Sequence, residues 1–237
     1  RRVLFRSRIL ENRQYQNHLE EMVASQVAEM TRMQDEVITG IANLIESRDG
    51  STGLHVKNTQ NYVQILTKAL REKGMYPDIL DHNYELNTVK ASVLHDIGKI
   101  KTPDAILLKP GRLTDEEFEV MKQHTVAGCE IIDRIIGNVE HEEYVDIARK
   151  IARYHHERWD GTGYPDGLSG EEIPLCARIM ALADVFDALY QDRCYKKAIR
   201  PASKVFEIIK ENSGSQFDPN LTEIFLELQR EITDISE

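Results

Sequence analysis

The sequence predicts an all-α protein, a helical bundle preceded by a long N-terminal coiled-coil helix, and three observations carry that prediction. Residues 1–39 hold neither Gly nor Pro and are rich in Glu, Gln, Arg, Met and Leu, all good helix formers. Beyond them, apolar residues recur at helical spacing between Gly and Pro breaks. No stretch alternates apolar and polar residues long enough to make a strand.

From Gln16 a heptad places Leu19, Val23, Met30, Met33 and Val37 on one seam, interrupted at Gln16 and Gln26. One seam is too narrow to bury a helix against a globular core on all sides. Residues 1–39 therefore read as a stalk that pairs two chains in parallel, rather than as a helix packed along its own domain. Residues 41–46 prolong this helix until Arg48-Asp49-Gly50-Ser51-Thr52-Gly53 breaks it. Helices are then expected over about 54–73, stopped by Gly74 and Pro77, and over about 86–94, running into His95. A loop marked by Pro103, Pro110 and Gly111 follows, and Thr114 with Asp115-Glu116-Glu117 supplies an N-cap and an acidic first turn. Helices over 115–136, 142–157, 176–190, 201–212 and 219–232 complete a second domain, residues 40–237.

The chain's 237 residues suffice for one large domain or two small ones. Forty acidic against 30 basic residues give a net charge of −10, the wrong sign for a duplex nucleic-acid binder or a membrane-surface protein. The apolar run Ile179-Met180-Ala181-Leu182-Ala183 is cut by Asp184, so no bilayer-spanning segment is expected. Cys129, Cys176 and Cys194 show no CxxC spacing, which suits a reducing, cytoplasmic setting. The opening Arg and the absence of a signal-peptide pattern lead us to expect further chain upstream, a sensor or receiver domain.

Several of the eight histidines stand beside carboxylates. His95-Asp96 ends an apolar run and Lys99 follows, which on a helix puts all three on neighbouring turns of one face. His155-His156 closes the helix that starts near Glu142, and His55 and His124 stand after expected helix starts. Asp184 in its apolar run needs a cation or donor, either a metal or an internal ion pair with Arg178 or Arg193. Singly each has an ordinary reading, and His18, His82 and His141 keep it, lying in polar stretches. Together, five histidines and two aspartates exceed what one ion needs and fit two octahedral ions sharing a bridging carboxylate.

The stretch His95-Asp96-Ile97-Gly98-Lys99 resembles the signature of the HD metal-dependent phosphohydrolases. His155-His156-Glu157-Arg158-Trp159-Asp160-Gly161-Thr162-Gly163-Tyr164-Pro165 resembles that of their HD-GYP branch, with support from residues 102–111 and Ala183-Asp184-Val185-Phe186-Asp187-Ala188-Leu189. The resemblance spans about residues 40–230. It implies a phosphodiesterase that opens the bacterial second messenger cyclic di-GMP to linear pGpG, with GMP as the alternative end product, through a hydroxide held between two metals. His55, His95, Asp96 and Asp184 would hold one ion, and Asp96 would bridge to a second held by His124, His155 and His156. The ligand set suits Fe or Mn, and also Ni, Co or Zn. Lys99 would contact a phosphate oxygen or the transition-state charge, and Asp96 with Lys99 would form the catalytic pair. Arg193 and Lys196 would clamp phosphate, while Tyr164 either stacks on a guanine or packs under its loop.

The sequence departs from the family pattern at two places. Members with three metals carry a Glu four residues before the first ligand histidine, where this chain has Ser51, so two ions are expected and pGpG is expected to accumulate. Asn58 replaces an Arg often found shortly after that histidine. The N-terminal helix is similar to linkers that follow receiver domains. Because no motif reads the base, another cyclic dinucleotide such as cyclic GMP-AMP remains a second enzymatic reading, and a non-catalytic nucleotide-binding module is a third.

Overall fold

The computed structural model describes residues 2–49, 54–137, 142–191 and 198–236, with the backbone alone for residues 2–11, 49 and 236. It is helical throughout, with no strand among the described residues. The chain divides into two compact units, Arg1–Gly40 and Ile41–Glu237.

The first unit belongs to a single helix, α1 (Arg2–Glu46). Its heptad seam lies open: Leu19, Val23, Met30, Met33 and Val37 are between 40% and 65% exposed.

The second unit is organised around α7 (Leu175–Tyr190), whose residues 175–183 are all buried. A helix apolar on every side must be covered on every side. The covering helices are α2 (His55–Glu72), α6 (Glu142–Tyr154), α8 (Ala202–Glu211) and α9 (Pro219–Glu227). Phe186 is the hub, its ring 5.1 Å from Tyr62, 5.0 Å from Phe206 and 5.7 Å from Phe225. Truncating such a side chain to Ala costs about 3–5 kcal/mol.

Around this core pack α3 (His82–Ala91), the short α4 (Asp104–Leu107) and α5 (Asp115–Ile136), and α10 (Gln229–Ser236) ends the chain. Thr114 caps α5 as its sequence predicts: its hydroxyl accepts from Glu117 N–H, and the Glu117 carboxylate accepts from Thr114 N–H.

Three expectations need correction. The HD motif is not on a continuous helix. α3 ends at Ala91, and 3₁₀ turns at Ser92–Leu94 and Ile97–Lys101 flank His95 and Asp96. The cause is crowding: a Cβ on Gly98 would lie 1.8 Å from the His124 carbonyl oxygen, so this segment runs directly against α5. Likewise α6 stops at Tyr154, and His155-His156 lies in the turn beyond it. The last expected helix is two, α9 and α10, broken at Leu228.

Candidate metal centre

All seven predicted ligands converge, from five separate places in the chain. His55 is the first residue of α2, His95 and Asp96 sit between the two 3₁₀ turns, and His124 lies near the middle of α5 rather than just after its start. His155 and His156 follow α6, and Asp184 faces them from α7. They form two groups whose candidate ligand atoms lie within 4.8 Å of one another, one of Asp96, His124, His155 and His156 and the other of His55, His95 and Asp184. Asp96 adjoins both: its Oδ1 is 3.3 Å from His124 Nε2, and its Oδ2 is 3.4 Å from His95 Nε2.

The hydrogen bonds of the imidazoles show which nitrogen is offered. Nδ1 of His95 lies 2.8 Å from the Ser92 carbonyl oxygen, that of His124 2.7 Å from Met121 O, and that of His155 2.9 Å from Ile151 O. A carbonyl only accepts, so each Nδ1 carries a proton and Nε2 is the nitrogen left to face a ligand. Those Nε2 atoms, with Nε2 of His55 and Asp96 Oδ1, are buried and receive no hydrogen bond among the described residues. Buried polar atoms left this way are costly unless something else binds them. A donor set of imidazole nitrogen and carboxylate oxygen suits first-row divalent ions.

Electrostatics divide the centre into two halves. Burial and then the neighbouring His155 work against charging His124, and although Asp96 pulls the other way its pKa falls to about 4. Burial and the same imidazole neighbours hold His156 well below the ordinary value. These rings are neutral and ready to bind. His55 is the opposite case. Burial opposes its charge, but the facing carboxylates of Asp184 and Asp187 outweigh burial and raise it to about 10. Burial likewise opposes ionisation of Asp96 and Asp184, yet Lys99 and His95 keep the first well below the carboxylate range and His55 lowers the second.

Lys99 Nζ lies 2.6 Å from Asp96 Oδ2, the predicted pairing, although the backbone between them is not α-helical. Tyr164 stands beside the ligands, its ring 4.9 Å from that of His156 and 6.5 Å from that of His124. Arg193, Lys196 and Ser51 lie outside the described residues. Asp184 does not pair with Arg178 as the sequence allowed. Its partner is His55 at 3.3 Å, and Arg178 donates to Asp218 at 2.7 Å.

Several contributors escaped the sequence reading. Asp187, one turn from Asp184 in the same apolar helix, bonds His55 Nδ1 at 2.6 Å through Oδ2. Its Oδ1 accepts from Asn58 at 3.0 Å and from the Tyr62 hydroxyl at 3.4 Å. A second buried acid in that run was the available signal. Glu46, buried at the end of α1, accepts from Val56 N–H at 3.2 Å and brings Oε1 to 3.9 Å from His55 Nε2. Two residues on, Arg48 donates to the carbonyls of Lys99, Ile100 and Thr102 at 3.2–3.3 Å and to Asp104 at 2.6 Å. Glu157 accepts from the backbone N–H groups of Asp166, Gly167 and Leu168 at 2.7–3.1 Å and so closes the loop that presents Tyr164. That loop needs Gly163, where a Cβ would stand 2.3 Å from Arg158 N.

Comparison with known proteins agrees with this architecture. An HD domain family model matches residues 17–221. A "Probable cyclic di-GMP phosphodiesterase" of Vibrio cholerae serotype O1 is 42% identical over 93% of this chain and 50% of its own length. A "Cyclic di-GMP phosphodiesterase" of the same organism is 44% identical over 88% of this chain and 42% of its own. The chain thus spans about half the length of these curated relatives. Among solved structures, a cyclic GMP-AMP-specific phosphodiesterase of V. cholerae superposes with a TM-score of 0.56 at 20% identity, covering 84% of this chain and 52% of that one, and so shares the fold. The His-Asp centre, the helical bundle and the extent of the family match lead to one conclusion: the chain belongs to the HD domain family.

Proposed function

We propose that this chain is a metal-dependent phosphodiesterase that hydrolyses cyclic di-GMP to linear pGpG. The observation that carries the reading is the convergence of seven ligands into two groups that meet at Asp96. His55, His95, Asp96 and Asp184 would hold one divalent ion, and Asp96, His124, His155 and His156 a second. Iron or manganese suits this set, and Ni, Co or Zn could also be held. Divalent ions in such a centre supply activated water at neutral pH and neutralise charge on the phosphoryl oxygens.

The chain's own residues then bind and orient. The oxygen of water bonds to phosphorus, the P–O3′ bond breaks, and the 3′-oxygen leaves with a proton, giving a 5′-phosphate and a free 3′-hydroxyl. Lys99, held by Asp96 at the edge of the centre, is placed to donate to a phosphoryl oxygen as charge grows there. Arg193 and Lys196, by resemblance, would clamp the phosphates. Residues 1–39 would act as a stalk, their open heptad seam supporting a homodimer governed from a sensor or receiver domain upstream in a cytoplasmic protein. No helix among the described residues is long and apolar enough to cross a membrane.

The test is product analysis by chromatography after incubating Mn- or Fe-loaded protein with cyclic di-GMP, beside Asp96→Ala. Appearance of pGpG with an inert variant supports the reading. Absence of turnover together with absence of bound metal overturns it. Turnover of cyclic GMP-AMP alone, the substrate named for the solved structure that shares this fold, would move the substrate and keep the reaction.

A further inference from the structure

The walls of the metal centre are imidazole and carboxylate, which can meet a phosphodiester but cannot read a base. A dinucleotide also carries two purines, and something beyond the ligands must receive them. From His156 outward the structure sets three rings in file. Tyr164 lies 4.9 Å from His156 at an interplanar angle of 30°, and Phe118 lies 6.0 Å from Tyr164, nearly perpendicular to it at 84°. Phe118 is 45% exposed although it sits on α5, the helix that carries His124.

Lys122 is one helical turn along from Phe118. Its Nζ stands 5.5 Å from the Phe118 ring centre and 5.8 Å from that of Tyr164. Its ion-pair partner is Glu119 at 2.5 Å, a side chain 66% exposed and so easily replaced by a ligand. An ammonium over the ring of an exposed phenylalanine is a pairing suited to guanine. The ring stacks on the purine, and the amine donates to O6 and N7. Adenine places an amino donor where guanine has O6, and a second donor there meets no acceptor.

We propose that Phe118, Lys122 and Tyr164 form a guanine subsite for one half of the substrate, an inference that rests on the cyclic-dinucleotide reading above. Phe118 supplies the stacking face, Lys122 the discrimination against adenine, and Tyr164 the spacing from the metal ligands.

The test compares two substrates on the metal-loaded protein. One is cyclic di-GMP. The other is bis(p-nitrophenyl) phosphate, whose rings are attached to the ester oxygens with no sugar to carry them out to Phe118. In Phe118→Ala the ratio of kcat/KM for cyclic di-GMP to kcat/KM for the nitrophenyl ester falls roughly tenfold, mostly through KM, and Phe118→Tyr restores it. Lys122→Gln narrows the preference for cyclic di-GMP over cyclic di-AMP. An unchanged ratio in Phe118→Ala, or an equal loss on both substrates, overturns the subsite and leaves the enzyme reading standing. Wild-type protein that cleaves the nitrophenyl ester but neither cyclic di-GMP nor cyclic GMP-AMP defeats that reading and the subsite with it.

Discussion

Asp187 Oδ2 sits 2.6 Å from Nδ1 of His55, so the other nitrogen of that ring is turned to within 3.3 Å of Asp184. A carboxylate behind a ligand histidine fixes the ring's tautomer and orientation and raises its basicity. Asn58 and Tyr62 in turn hold the carboxylate's second oxygen. Asn58 reaches Asp187 as a neutral donor and leaves the carboxylate's charge directed at His55.

Asp187→Asn should therefore weaken metal binding at the His55 group by about 10–100-fold, while the group of His124, His155 and His156 keeps its ion. Metal analysis after gel filtration would show the loss of about one ion per chain. Equal retention of metal by variant and parent would contradict this role.

The two groups should also respond differently to pH. The folded pKa of His55, about 10, lies above its ordinary 6.5. In the metal-free chain the protonated ring therefore stabilises the fold fully below about 6.5, and that contribution fades as pH rises through about 10. Metal ligation must displace the same proton, so affinity at this group strengthens with pH across that window. His124, already lowered to about 4, has no proton to give at neutral pH. Calorimetric titration at pH 7 in two buffers of different ionisation enthalpy should register about one proton released as the His55 group fills.

Arg48 donates to the carbonyls of Lys99, Ile100 and Thr102 and so ties down the segment that carries Lys99. Removing Lys99 should lower kcat about 10²-fold if it stabilises transition-state charge, and Arg48→Ala should lower it about tenfold by loosening the segment that carries Lys99. In the double variant the Arg48 change should add almost nothing. Additive losses in the steady-state rates would show that Arg48 works by another route.

Glu157 is buried and holds three backbone N–H groups. Glu157→Ala strands them and should cost at least about 1–3 kcal/mol of stability, while Glu157→Gln, which keeps one acceptor oxygen, should cost less. Urea unfolding monitored by circular dichroism would rank the pair, and the reverse order would be incompatible with this role.

The seam of α1 gives a fifth kind of measurement. Met33→Glu combined with Val37→Glu places like charges across a parallel pair. Sedimentation velocity should then show a dimer becoming a monomer with its helical content largely kept. A parent protein that is already monomeric would dismiss the stalk.

What the sequence disclosed follows the range over which each signal operates. The seven residues that converge are histidines and aspartates, most of them in recognisable strings, so their clustering was legible, as was the capping box at Thr114 and Glu117, a pattern only four residues long. Contacts across the fold were not. His55 meets Asp187 over a separation of 132 residues, and Arg178 finds Asp218 over 40, a partner that no local pattern identifies. The HD turn was misread for a related reason. Helical periodicity extended through it, but one backbone approach at Gly98 decides the local conformation, and periodicity carries no record of what packs on the other side. His155 and His156 gained from the same kind of break. Two adjacent residues on a helix diverge by about 100°, whereas beyond the end of α6 their rings lie 4.1 Å apart and serve one group.

That the ligands come from five stretches of chain has a thermodynamic consequence. Unfolding scatters them, so an ion held by either group would bind the native chain and have no comparable home in the unfolded one. Each ion then adds RT ln(1 + [M]/Kd) to the free energy of unfolding, about 2.7 kcal/mol at a free concentration one hundred times Kd. The melting temperature thereby becomes a gauge of metal supply. A cell short of the ion would hold a chain that is less durable as well as less active, and the same shortage would set both its turnover of substrate and its own lifetime.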